Sequence, residues 1–396
     1  MIFLKKTTSC LFLGVLLLNI LGLCFFKNKL DFPTDTRVFY SPVAENLVAG
    51  KGYAFKGSFS DRYPPGYPLF LAVIYGLTRH PGETNPVYPF ATACLQALSC
   101  VFIFKIARFL NGSKNAAASA ILLCSYPFFL VLSATRYSWT AMPLFMVIFF
   151  AGIYLFLKNF RKEISGKYFP GFFLSGLLLG LSCLVWPAPV YIWILFAVYL
   201  LTEQAQHRKA VLSFIPGFFL PIILWSALVW THTGSFHISG GQMLSMRDGL
   251  VHTSGGKMGQ FDFGRQAAED MKAGKIKSLK DIAVFTGKKM RSDFKDTAAY
   301  LTFKLFRPWY ATDSEKFENV ILAVQFPYIL LATIGVSRLL KERKKETLLL
   351  IGVIVYFWLT AFSVLSILRY MTASMGLMMI FIPAGAEFIW KGIFKR

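Results

Sequence analysis

The chain has 396 residues, of which 55% are hydrophobic, 17% aromatic and only 16% charged, where a soluble domain carries about 25% charged residues. With a mean hydropathy of +0.53, this excludes an ordinary soluble protein and points to the membrane class. A net charge of +22 on a soluble protein would suggest nucleic acid. Here many basic residues sit in short clusters between apolar runs, so they read as topology signals and contacts with membrane lipids, and no nucleic-acid partner is expected.

The first apolar run, 9–26, follows Lys5 and Lys6 and has no small-x-small site after Phe26, so it is expected to be an uncleaved helix. Further runs of about 20 apolar residues, the length a crossing needs, fall near 87–107, 115–134, 138–158, 169–186, 187–203, 210–231, 318–338, 347–367 and 371–391. The run 67–78 is too short to cross. If it did cross, the clusters at Lys105/Arg108/Lys114, Lys158/Arg161/Lys162/Lys167, Arg208/Lys209 and 338–345 would all move outside, against the positive-inside rule. The expected fold is therefore an all-α polytopic membrane protein, a single membrane domain over 1–396. It has about ten spans, both termini inside, and a re-entrant or interfacial helix at 67–78. Two outer segments result: 27–86, a first loop with interfacial helices, and 232–317, a cap region whose stretch 278–306 has approximately helical apolar spacing.

The stretch Asp31 to Pro68 is the part lipid cannot explain. Asp35 lies nine residues after the first span, close to the outer interface, where a carboxylate can take a proton from a hydroxyl. The competing reading is a helix N-cap or a solvated loop acid, since Asp35-Thr-Arg opens an amphipathic run. Asp31 and Asp61 are weaker candidates. Arg62, Arg136 and Arg369 stand outside, each followed by a tyrosine (Tyr63, Tyr137, Tyr370). Guanidinium suits phosphate, and the alternative is snorkelling or pairing with a loop acid. Pro64-Pro65-Gly66 fixes an extended segment and a turn. His232, His237 and His252 match no metal spacing and read as loop polar residues. The six cysteines lie in or beside apolar runs and read as small apolar residues.

Asp35, Phe39-Tyr40, Ala44-Glu45-Asn46-Leu47, Gly50-Lys51-Gly52-Tyr53 and the run Tyr63 to Ala72 together resemble the first outer loop of integral-membrane GT-C glycosyltransferases of the protein mannosyltransferase / aminoarabinose transferase type. A weaker likeness continues through 135–144, Gly180 to Pro187, Arg307-Pro308-Trp309 and Arg369-Tyr370. The resemblance implies transfer of a sugar from a polyprenyl-phosphate carrier to a lipid, glycan or protein acceptor outside the cytoplasm. Asp35 would be the catalytic acid/base residue, and Tyr40, Arg62, Tyr63, Arg136, Arg369 and Tyr370 would bind substrate. No metal ligand is assigned and no cofactor is certain, and a divalent metal stays open. One good acid implies inversion at the anomeric carbon. Two positions depart from the family: Ala141 stands where a second-loop acid is common, and Trp186 where an arginine precedes Pro187.

A polyprenyl-lipid transporter or flippase would place polar groups within spans. Here they gather in the outer loops, which favours surface chemistry. A non-catalytic scaffold related to such transferases is the other alternative, kept open by Ala141. The expected location is a bacterial inner membrane with the site facing outward.

Overall fold

A computed structural model describes residues 2–26, 35–82, 85–134, 141–161, 169–202, 205–250, 257–312, 315 and 317–394. Asp31, Arg136 with Tyr137, and His252 lie outside the described residues. The chain is helical almost throughout, as expected, and forms two compact units: Met1–Ser239 with Leu331–Gly352 and Met375–Arg396, and Gly240–Leu330 with Val353–Ser374.

The first unit opens with α1 (Ile2–Phe26). A π-helical turn, Thr36–Tyr40, leads directly into α2 (Ser41–Val48). A short hairpin follows, β1 (Ala54–Phe55) against β2 (Ser58–Phe59), a small sheet in an otherwise helical chain. Next come α3 (Gly66–Thr78), α4 (Val87–Ser125), α5 (Pro127–Ala134), α6 (Ala141–Phe160), α7 (Phe169–Val185), α8 (Ile192–Leu201) and α9 (Ala205–Thr233). Glycines let α7 and α9 touch backbone to backbone. A Cβ at Gly176 or Gly180 would meet the carbonyls of Phe214 or Phe218, and one at Gly217 the carbonyl of Phe173. Small residues serve this purpose in membrane helices generally, because apolar side chains gain nothing by leaving lipid.

Among the described residues the ten expected runs fall largely in helices, but several of these helices are broken or shorter than a crossing. α4 has 39 residues, about 58 Å of helix, nearly twice the hydrocarbon thickness of about 30 Å. It breaks at Gly112 (φ 74°, ψ 176°), a backbone region open to glycine, which separates the two spans expected there. Among the described residues five helices are long and apolar enough to cross: Val87–Ser125, Ala141–Phe160, Arg208–Thr233, Glu318–Glu342 and Lys345–Ser363. A sixth is the pair Leu368–Met378 and Ile382–Ile393, bent by 54°. α3, at 13 residues, spans only about 20 Å. It buries Tyr67, Leu71, Ile74 and Tyr75 and leaves Leu69, Val73 and Leu77 exposed.

The second unit holds α10 (Gly241–Asp248), α11 (Asp262–Lys272), α12 (Leu279–Ser292) and α13 (Phe294–Phe306), followed by the start of α14 (Glu318–Glu342) and the end of α15 (Lys344–Ser363). The helix expected across 278–306 is two helices. Asp293 leaves the helical region (φ −145°, ψ 78°), and its side chain accepts the N–H of Asp296 to cap α13. Capping a new helix satisfies backbone donors that a continued one would have paired internally. α16 (Thr372–Met378) and α17 (Ile382–Phe394) complete the chain.

Candidate functional site

Asp35 is half-buried and has helical dihedrals (φ −54°, ψ −27°), yet its side chain makes no capping bond. The N-cap reading of Asp35 is therefore not what its carboxylate does. Instead Oδ1 accepts from the Tyr63 hydroxyl at 3.4 Å, a long bond spanning 28 residues of chain. Burial and the charge of Asp35 both raise the pKa of Tyr63, with Arg62 opposing. The phenol thus stays protonated, so in this pair it donates and the carboxylate accepts. Asp35 Oδ2 carries no partner among the described residues.

An aromatic cluster holds this pair. Phe39 and Tyr40, both buried, follow one another in the π-helical turn. The Tyr63 ring lies 4.8 Å from that of Phe39 and 5.2 Å from that of Tyr40. Phe55 of β1 packs on Phe39 at 5.0 Å, and Tyr67 of α3 on Tyr40 at 5.1 Å. Each such edge or tilted pair is worth about 0.5–1.5 kcal/mol beyond its buried area. Polar bonds anchor the surroundings. Ser41 Oγ bonds the Tyr75 hydroxyl at 2.8 Å and donates to Glu45 at 3.0 Å. The hydroxyls of Tyr67 and Tyr88 bond at 2.9 Å.

The segment after the hairpin is clamped by the end of α9 and the residues following it. Tyr53, its pKa raised by burial, donates to the Tyr63 carbonyl at 3.0 Å and packs against Trp225 at 5.0 Å. His232 stacks on Phe59 at 4.2 Å. His237 Nε2 meets Asp61 Oδ2 at 2.7 Å, and Ser239 donates to the Arg62 carbonyl at 2.7 Å. The bonds to Asp61, Arg62 and Tyr63 cross long stretches of chain. No sequence periodicity announces them: Asp61 reads only as a weaker acid and His237 as a loop polar residue, their pairing is not legible, and nothing marks Ser239. Arg62 itself is exposed, lies 5.5 Å from the Tyr63 ring centre, and pairs with no carboxylate among the described residues.

The structure thus brings together four of the expected residues, Asp35, Tyr40, Arg62 and Tyr63. Arg369 and Tyr370 lie in the second unit, in the turn Leu368–Met371, with the guanidinium 5.3 Å from the Tyr370 ring centre. Arg307 is also there, fully buried, its Nη2 2.9 Å from Glu318 and 3.4 Å from Glu315. Ala141 is buried at the start of α6. Among the described residues no three His, Cys, Asp or Glu side chains gather to hold an ion. The described side chains alone make up no metal site.

The family of dolichyl-phosphate-mannose-protein mannosyltransferases matches residues 62–230. In fold the chain is similar to the archaeal oligosaccharyltransferase AglB of Archaeoglobus fulgidus, solved with an inhibitory peptide and a dolichol-phosphate. The TM-score is 0.61 at 12% identity, over 98% of this chain and 51% of that one. Residues 62–230 are thus mannosyltransferase-like in sequence, and the fold of the chain is similar to that of the archaeal oligosaccharyltransferase. The same archaeal enzyme tethered with an acceptor peptide gives 0.63 at 14% identity, over 98% and 50%. ArnT of Cupriavidus metallidurans, bound to undecaprenyl phosphate, gives 0.47 at 14% identity, over 96% and 77%, a likeness too low to argue from. The chain spans about half the length of the archaeal oligosaccharyltransferase. A search of curated proteins finds no match. The family match begins at Arg62, so it covers the Tyr63 side of the candidate site and leaves Asp35 outside it.

Proposed function

We propose that the chain is a glycosyltransferase that moves a hexose or pentose from a polyprenyl-phosphate carrier to a hydroxyl of a lipid, glycan or protein acceptor. It would act on the outer face of its membrane, a bacterial inner membrane, with inversion. The observation that carries the reading is Asp35: a carboxylate at a helix start that caps nothing and is held instead by Tyr63 within an aromatic cluster beside Arg62. The mannosyltransferase family match and the dolichol-phosphate in the archaeal neighbour support the donor class.

In the proposed step the acceptor O–H gives its proton to Asp35 Oδ2 as its oxygen attacks the anomeric carbon. The bond from that carbon to the phosphate oxygen breaks, and the polyprenyl phosphate leaves with the electron pair. The charge that develops on it needs cations, for which Arg62, Arg136 and Arg369 are the candidates. Tyr63 fixes the carboxylate, and Tyr40 and Tyr370 offer aromatic faces to substrate. One attack on one face inverts the centre, whereas retention would need a second close carboxylate.

The test is transfer by membranes from a panel of radiolabelled polyprenyl-phosphate sugars, wild type against Asp35→Asn. Loss of a general base costs about 10²- to 10⁴-fold in rate. Equal transfer by both proteins would remove Asp35 from the mechanism. The buried Ala141, standing where relatives carry an acid, favours a second reading, a non-catalytic scaffold. Folded wild-type protein that transfers from no donor would establish that one.

A further inference from the structure

Leu250 and residues 258–303 carry a core of their own, built from Met258, Phe263, Ala267, Ile276, Phe285 and Tyr300 among others. α12 contributes Phe285 to it, with Ile282 packed alongside. The opposite face of α12 has no such cover. There Lys280, Lys288 and Arg291 share exposure with Val284 (48%), and Leu279 (45%) at the first turn and Phe294 (65%) just beyond the last are exposed as well. Residues 272–295 hold eight Lys or Arg and two Asp, a net charge of +6.

The nearby acids are engaged by backbone groups and are outnumbered by the bases of this face. Asp281 closes a capping box with Ser278, which holds its carboxyl below the usual range, through bonds from the Lys277 N–H and from Ser278. Asp293 caps α13. Asp296 accepts the N–H groups of Asp262 and Phe263. Among the described residues Lys280, Lys288, Lys289 and Arg291 form no ion pair.

The face also stands near the end of a membrane helix. α13 continues from α12 at Asp293 and carries Lys304, whose ammonium donates to the carbonyls of Phe362 (2.6 Å) and Val364 (2.9 Å) at the C-terminal end of α15. Phe294 is ten residues before Lys304, about 15 Å along the helix. We propose that α12 is an interfacial helix that docks on the anionic headgroups of the chain's own bilayer. Lys280, Lys288 and Arg291 would meet phosphates while Leu279, Val284 and Phe294 enter the acyl boundary. Charge complementarity selects the anionic surface, and the interleaved apolar residues select a lipid surface over a dissolved polyanion, which has no use for them. The proposal is independent of the transfer reaction.

The experiment places the full chain in lipid nanodiscs, zwitterionic in one arm and containing anionic phosphatidylglycerol in the other, and follows amide hydrogen exchange. Each base near an anionic surface contributes about fivefold, so three shift the docked equilibrium on the order of a hundredfold. Exchange over 279–294 should slow at least about tenfold in the anionic discs and recover in high salt, where the Debye length shrinks to a few ångströms. Exchange over 262–272 should stay the same. The variant Lys280→Gln/Lys288→Gln/Arg291→Gln should lose the difference between lipids. If that variant loses protection over 262–272 it has unfolded, and the salt arm on wild type decides instead. Equal exchange in both lipids overturns the proposal. So does protection by inositol hexakisphosphate in zwitterionic discs without protection by phosphatidylglycerol, which would make the occupant a soluble polyanion.

Discussion

Replacing Arg307 with Met should destabilise the second unit far more than replacing Arg307 and Glu318 together. Arg307 and Glu318 have essentially no side-chain exposure, and Nη2 lies 2.9 Å from Glu318. At an effective dielectric of 20, two unit charges about 4 Å apart attract by roughly 4 kcal/mol. Desolvating both offsets most of that, and Nε and Nη1 of Arg307 have no hydrogen-bond partner among the described residues, so the intact pair contributes little net stability. Breaking it is different, since removal of one partner strands a buried charge at a cost of about 3–5 kcal/mol. Lys257 remains 3.0 Å from Glu318, but its side chain is 44% exposed, so its compensation is partial and the lower end, about 3 kcal/mol, is expected. The Arg307→Met/Glu318→Met double variant should return to within about 1–2 kcal/mol of wild type, as apolar replacements of whole buried pairs do. Thermal unfolding in detergent orders the three proteins. A double variant that melts no higher than the single one would refute a stranded charge as the cause. A single variant that melts like wild type but loses transfer would move Arg307 into the catalytic machinery.

Tyr63→Phe removes only a 3.4 Å bond to Asp35 and keeps the ring packing, so kcat should fall roughly threefold to tenfold, as the loss of about 1 kcal/mol implies, with KM held. A hundredfold fall would mean the phenol touches substrate. His237→Ala with Ser239→Ala removes the bonds at 2.7 Å to Asp61 and to the Arg62 carbonyl. Hydrogen exchange over 53–63 should rise several-fold, and unchanged exchange would mean the aromatic contacts suffice. For Lys304, burial pushes the pKa down to about 7 from 10.5. The unfolded chain therefore binds the extra proton between those values, and stability should rise with pH across that window. Lys304→Met should flatten the rise in a series of melting temperatures. A wild-type profile already flat would show that the two carbonyls and the Phe362 ring outweigh burial.

What the sequence disclosed follows from which interactions are local. Apolar runs of span length marked the membrane helices, because lipid imposes one requirement over twenty consecutive residues. The 13 residues of α3 could be judged too short by the same measure. The break at Asp293 was legible in principle: Asp293-Asp296 has the spacing of an N-terminal cap, but the continuing apolar spacing hid it. The bond from Tyr63 to Asp35 and the pair His237–Asp61 were not legible. They depend on where the hairpin lies against α9, and tertiary packing of that kind leaves no periodic trace. Identifying Asp35 from the resemblance supplied the residue but not the geometry around it.

That geometry bears on the missing second acid. If the carboxylate of Asp35 had capped its helix, its lone pairs would be occupied by backbone N–H groups and it would be a poor base. The helical dihedrals of Asp35 remove that use, and the π-helical turn after it sets Phe39 and Tyr40 side by side against Tyr63. Tyr63, kept protonated by burial and by Asp35 itself, can offer the carboxylate only a hydrogen bond and cannot take its proton. One oxygen is thereby engaged, and the other, without a partner among the described residues, is open to the proposed acceptor hydroxyl. An inverting displacement asks for one base, an activated leaving group and cations at the phosphate. None of these requires an acid at Ala141. Its absence is thus compatible with catalysis by the first loop alone, provided the exposed Arg62 or another cation reaches the carrier phosphate.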